Sequence, residues 1–221
     1  MKKVSLILSV SLLTALLVSS FKESSHISKQ HKTAETIIEV TIGKQVWLAQ
    51  NLNVDKFRNG DPIPEAKTEE QWIKAGTKGQ PAWCYYNNDT ANASKYGKLY
   101  NWHAVNDARG IAPKGQHIPT DDEWTKLTEY FGDDEVAGKM IKSKDGWKDN
   151  NNGTNESRFS GLPGGARGYD GKFNNMGTSV CWWTSTDDAA NNIARFVGLA
   201  SGMSVGADDK GQGFSVRCLK D

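Results

Sequence analysis

The sequence predicts an α+β fold, an antiparallel sheet with two or three short helices and long irregular loops. Three observations carry that expectation. Apolar residues alternate with period two near residue 40, capping residues mark two helix starts, and the stretch 144–177 shows neither period before strand-like runs return. The 221 residues are enough for one medium domain with a real core. With 37% hydrophobic and 10% aromatic residues, extended disorder is excluded.

Met1, Lys2 and Lys3 precede an apolar run ending at Val18, the layout of an export signal that is short for a membrane span. Val18 and Ser20 suit the −3 and −1 positions of a cleavage site, so residues 1–20 are expected to be a signal peptide. Phe21 stands where a lipoprotein would need Cys, which argues against lipidation. The exported form is then expected to be secreted, periplasmic or displayed at the cell surface, with no membrane span. Residues 21–35 are polar and lack an apolar period, so they read as a linker, and His26 and His31 within it have no ligand partners at metal spacing. The domain is expected over 36–221. Its near-neutral charge, +1 for the whole chain, provides no field for nucleic acid.

The domain opens with Ile38, Val40 and Ile42, then Val46 and Leu48 beyond Gly43-Lys44, the pattern of a hairpin with one buried face. Thr68 and Gln71 form a capping-box pattern ahead of Trp72 and Ile73, with Gly76 as the expected stop. Thr120 and Glu123 repeat the box, Trp124, Leu127 and Phe131 recur at helical spacing, and Gly132 ends the run. Asp121 and Asp122 in that first turn suit the helix dipole rather than a metal. A third helix is expected over 135–142, with Val136, Met140 and Ile141 turned inward. The glycine- and asparagine-rich stretch 144–177 must be anchored by Trp147, Phe159, Leu162, Tyr169 and Phe173. Strands are then expected over 179–186, 193–199, 203–205 and 213–219.

Five separated motifs carry a resemblance that periodicity alone does not supply. They are Val46-Trp47-Leu48-Ala49-Gln50-Asn51-Leu52, Tyr96-Gly97-Lys98-Leu99-Tyr100-Asn101-Trp102, Ile118-Pro119-Thr120-Asp121-Asp122-Glu123-Trp124, Trp182-Trp183-Thr184-Ser185-Thr186, and Gly213-Phe214-Ser215-Val216-Arg217-Cys218-Leu219-Lys220-Asp221. In this order they resemble the Fibrobacter succinogenes major paralogous domain, from about residue 42 to the end. That family is similar in turn to the C-type lectin-like fold and to the formylglycine-generating, sulfatase-modifying enzymes. The resemblance implies paired terminal strands that close the domain, two helices, and long loops carrying any site. It establishes no activity. Many relatives have Cys and Trp where this chain has Ala112 and Gln116, so the resemblance supplies no partner for Cys218.

Cys84, Cys181 and Cys218 allow three pairings with one thiol left over. Cys84–Cys218 is the favoured disulfide, tying a middle segment to the final strand. His103 and His117, flanked by packing residues, read as structural histidines rather than general bases. The acidic pairs Asp187-Asp188 and Asp208-Asp209, beside Asn191-Asn192, offer oxygen donors for calcium, but turn chemistry accounts for them equally well and no metal-binding motif is present. No cofactor is therefore expected.

Loops rich in Asn, Asp, Gly and Tyr combine polar groups with flat apolar faces, as a sugar ring requires. The leading expectation is a secreted, non-enzymatic module that binds a glycan or another surface macromolecule, with Asn152, Arg167, Tyr169 and Trp183 as ligand candidates. The alternatives are an enzyme related to the sulfatase-modifying factors and a structural adhesion or stalk-tip domain.

Overall fold

The computed structural model describes residues 38–221; the expected signal peptide and linker lie outside the described residues. In chain order the elements are β1 (Glu39–Ile42), β2 (Gln45–Leu48), α1 (Glu69–Thr77), β3 (Trp83–Cys84), α2 (Ala93–Tyr96), β4 (Leu99–Tyr100), α3 (Trp102–Val105), β5 (Gln116–His117), α4 (Asp121–Phe131), α5 (Asp134–Ile141), β6 (Gly164–Arg167), β7 (Phe173–Met176), β8 (Val180–Asp188), β9 (Ile193–Leu199), β10 (Met203–Asp209) and β11 (Leu219–Lys220). The class is mixed α+β, dominated by sheets with a few short helices. No helix among the described residues is long and apolar enough to cross a membrane.

The opening hairpin forms as its alternation predicts. Ile42 pairs with Gln45 across Gly43-Lys44, and Val40 and Ile42 are buried, while Ile38 before the first strand stays exposed. The last strand then joins the first pair. Leu219 lies between Trp47 and His117, giving a four-stranded sheet in the order β1-β2-β11-β5. The last strand therefore pairs with the second strand of the opening hairpin, and β2 separates it from β1, where the resemblance implies directly paired terminal strands.

A second sheet runs β10-β9-β8-β6-β7, antiparallel except where Gly165 of β6 pairs parallel with Val180 of β8. Strands β6 and β7 fall inside the stretch expected to lack regular structure. Their sequences, Gly-Gly-Ala-Arg and Phe-Asn-Asn-Met, have no alternating large apolar residues, so period two is silent there. Glycine is required at 165. Its φ is +66°, and a Cβ would stand 2.5 Å from the Asn174 carbonyl oxygen.

The helix starts match their capping signals. Thr68 and Thr120 form complete capping boxes with Gln71 and Glu123, and Asp133 caps α5 through the Val136 amide. Two details differ from expectation. Helix α1 passes through Gly76 to Thr77, and Gly79 takes the left-handed turn with φ +63°. Helix α5 buries Ala137, Gly138 and Ile141 and leaves Val136 exposed.

Both faces of β8 are covered. Trp182 packs among Trp47, Trp124 and Phe159, with its ring stacked 5.4 Å from that of Trp124. Trp183 points to the other face, lies 4.5 Å from the Phe214 ring and donates its indole N–H to the Tyr100 carbonyl. A central strand between two packed layers buries successive side chains instead of alternating them. Trp183 is therefore core, which corrects its assignment as a ligand residue. Of the anchors expected in 144–177, Trp147 and Phe159 are buried and Tyr169 is not.

The chain end is fastened by His117. Its Nδ1 lies 2.9 Å from Asp221 Oδ1 and its Nε2 lies 3.0 Å from Glu123 Oε1, joining β5, α4 and the last residue. Partial burial disfavours the imidazolium, but the hydrogen bonds and charges of Asp221 and Glu123 outweigh it and hold the His117 pKa above 6.5. The folded pKa exceeds the unfolded one, so this contribution is fully present below about pH 6.5 and is lost as pH rises through the folded value. We expect His117→Gln to lower stability at pH 6 by less than about 1 kcal/mol and to do less at pH 9. Urea midpoints at the two pH values check this, and an equal loss at both contradicts it.

Candidate functional site

The Tyr169 cleft is assembled from five separated segments. It has a volume of about 330 Å³ and is lined by Ile73, Gly76 and Thr77 of α1, by Gly79, by His103 of α3, by Tyr169 and Asn192, and by Asp209, Lys210 and Gly211 at the end of β10. Tyr169 is 62% exposed and Ile73 39% exposed, so the cleft has an aromatic and an aliphatic wall open to solvent. Tyr169 sits in the tight turn between β6 and β7, where the Gly168 amide donates to the Lys172 carbonyl.

The polar side of the cleft is held rigidly. Lys210 Nζ lies 2.8 Å from Asp187 Oδ1 and 4.7 Å above the Trp102 ring, and its carbonyl accepts from the Trp102 amide. Trp72 donates its indole N–H to the Gly211 carbonyl at 2.9 Å, fixing α1 against the same turn. Asp209 Oδ1 accepts from the Gly211 amide at 2.7 Å. Burial lowers the pKa of His103, reinforced by Lys210 and opposed by its bond to the Gly76 carbonyl and by Asp209, so its ring is neutral at neutral pH. The cleft therefore offers a flat apolar face beside a carboxylate, an amide, an ammonium and a neutral imidazole.

Of the four sequence-derived candidates, only Tyr169 lines this cleft. Arg167 is fully buried. Its guanidinium donates to the carbonyls of Gly171, Ala66 and Thr68 at 2.9, 2.7 and 2.9 Å, and lies 4.8 Å from the Trp72 ring and 4.7 Å from the Phe173 ring. Its complete burial keeps it from meeting a ligand. It is a positioning residue instead, clamping the Tyr169 turn to the start of α1. Asn152 lies outside the cleft, where its Oδ1 accepts from the Trp147 amide at 3.0 Å.

Sequence reasoning missed Ile73, Asn192 and Lys210, and gave His103 and Asp209 other roles. No local spacing connects residues so far apart in the chain. The one available signal was Ile73, an apolar side chain beside the buried Trp72 on a short helix that covers only one face.

The acidic pairs that offered oxygen donors for calcium are occupied, as turn chemistry would have them. Asp187 binds Lys210, Asp188 accepts from Asn191, and Asp208 accepts from Gln212 and from the Asp209 amide. Among the described residues no group of three or more His, Cys, Asp or Glu is placed to hold a metal ion.

The expected Cys84–Cys218 disulfide is corrected. All three cysteines are free thiols, and Cys84 lies in the apolar cluster around Trp72 while Cys218 lies in the one around Trp183 and Phe214. Burial pushes each pKa up to about 12, although nearby Arg167 and Arg217 act the other way on Cys84 and Cys218.

No curated protein and no solved structure matches the chain. The Fibrobacter succinogenes major domain matches it from residue 40 to residue 220, which spans the opening hairpin, both sheets, the Tyr169 cleft and the closing strand. The chain therefore belongs to the Fibrobacter succinogenes major domain family.

Proposed function

We propose that this protein is an exported, non-enzymatic recognition module of C-type lectin-like fold that binds a glycan in the Tyr169 cleft. The observation that carries the proposal is the exposed Tyr169 ring, in a cleft also lined by Ile73, Asn192, Asp209 and Lys210. A sugar ring stacks its C–H face on an aromatic ring and directs its hydroxyls to fixed polar groups. The pairing of the last strand with the second strand of the opening hairpin, which brings the two ends of the domain into one sheet, supports the lectin-like reading.

The thiols support binding over catalysis. Burial pushes all three thiols up to about 12, so they stay protonated at pH 7. A nucleophilic or redox cysteine needs the opposite environment. Binding requires no metal in this reading and is expected to persist in a chelator.

A glycan array followed by calorimetry on the best hit tests the proposal. Tyr169→Ala is expected to weaken binding about tenfold, equivalent to roughly 1.4 kcal/mol, with the melting temperature unchanged because the ring is exposed. Undiminished affinity in that variant, or an array without a hit, overturns it.

A further inference from the structure

Arg217, like Arg167 and Lys142, is a buried cation without an ion pair among the described residues, and it is the one that lines an open cleft with other cations. Arg217 is 1% exposed, and its four hydrogen bonds all go to neutral oxygens: the Leu48 carbonyl at 2.9 Å, the Phe159 carbonyl at 2.8 Å, and Asn51 Oδ1 twice, at 2.9 and 3.2 Å. A guanidinium has five N–H groups, so one has no acceptor among the described residues. Taking such a cation out of water without an anion is costly. Burial pulls its pKa down to about 9, and no carboxylate opposes that fall.

Arg217 lines a second cleft, of about 400 Å³, with Gln50, Asn51, Ser94, Lys95, Arg158 and Ser160 among its neighbours. The composition of this cleft is one-sided. Acidic and basic residues are nearly equal in number in the chain, 26 against 27, yet three cations and no carboxylate line it. Lys95 and Arg158 are exposed, and neither forms an ion pair with any described residue. Glu39 and Glu156 border an adjoining cleft that shares Arg158, but Glu39 is taken by Lys220 at 3.1 Å. The loop presenting Arg158 is itself unusual. Arg158 and Ser160 have φ of +60° and +58°, a conformation held by the Asn155 side chain, which bonds both the Ser160 amide and its hydroxyl.

We propose that this cleft is an oxyanion-binding site, with Arg217 as the fixed charge at its floor and Lys95 and Arg158 meeting the ligand at its rim. The ligand chemistry is a carboxylate, sulfate or phosphate group. Ser94, Ser160 and Gln50 add neutral hydrogen-bonding groups, and Ile38 and Leu162 provide an apolar margin for the remainder of the ligand. The site is separate from the Tyr169 cleft and shares no residue with it.

Calorimetry on the full chain, at low and high salt, tests the proposal with inorganic phosphate, sulfate, a galacturonic acid oligomer and a neutral galactose oligomer as probes. At least one anionic probe is expected to bind, more weakly at high salt, and to raise the melting temperature. The double variant Lys95→Ala, Arg158→Ala is expected to lose about tenfold or more in affinity and to keep its fold, because both side chains are exposed. A preference for the oligomer over phosphate and sulfate assigns the site to an acidic polysaccharide, and the reverse to a free small anion. Tyr169→Ala is expected to leave anion binding unchanged. Silence with all three anionic probes at low salt, undiminished affinity in the double variant, or loss of anion binding in Tyr169→Ala overturns the proposal.

Discussion

Arg167→Ala is expected to destabilise the whole domain strongly, not merely to silence a surface. The side chain supplies hydrogen bonds to three backbone carbonyls from two separated segments, Ala66 and Thr68 ahead of α1 and Gly171 in the Tyr169 turn. Truncation leaves the Ala66 and Gly171 carbonyls without this donor, removes one of the two donors to the Thr68 carbonyl, and opens a cavity between the Trp72 and Phe173 rings. Each carbonyl left buried without a donor costs about 1–3 kcal/mol, and the lost packing adds to that, against a total stability of roughly 5–15 kcal/mol for a domain. Arg167→Lys keeps the charge but loses the planar fork that reaches three acceptors, so a smaller loss is expected. Urea denaturation measures both. A midpoint for Arg167→Ala close to that of the wild type would show that the clamp between α1 and the Tyr169 turn is dispensable.

Trp182→Ala is expected to cost a similar amount, about 3–5 kcal/mol, by a different route. The indole is fully buried, stacked on Trp124 and set edge-on to Phe159 at 5.7 Å, with no space through which the site could collapse. Its N–H also donates to Asn51 Oδ1, the oxygen that accepts from Arg217. Truncation therefore removes packing from β8 and one bond from the network joining the first and last segments. Trp182→Phe retains most of the packing, and Asn51 Oδ1 keeps its Arg217 donors, so a loss of about 1–2 kcal/mol is expected. A Trp124→Ala, Trp182→Ala cycle is expected to show coupling, because each ring is the other's packing partner. Strict additivity in that cycle contradicts the stacking argument.

The parts of the fold legible beforehand were those written in local chemistry. Thr68 with Gln71 and Thr120 with Glu123 each announce a helix within four residues, and Gly43-Lys44 between two alternating runs announces a hairpin. Strands β6 and β7 were illegible because they are defined by what lies beside them. Gly165 belongs to a strand only because the Asn174 backbone and Val180 lie alongside it. Trp182 and Trp183 show the same limit. Adjacent tryptophans on a strand must face opposite ways, but whether the outer face meets water or a second packed layer is not a local property.

The candidate sites divide in the same way. Composition pointed to the 144–177 loops and found Tyr169, while Arg167, two residues earlier, proved to be the clamp beneath it. The oxyanion cleft had no signal at all, since Lys95, Arg158 and Arg217 are three unrelated cations along the chain.

By itself the sequence determined the helix starts, the opening hairpin, the order of the motifs and thereby the family, because each depends on neighbours a few residues apart. Only the tertiary structure decided which aromatic stayed in solvent, which arginine became a structural clamp and which came to line a cleft with two other cations. Burial and charge compensation are set by residues up to about 170 positions apart, such as Leu48 and Arg217, and those contacts exist only once the two ends of the domain have met.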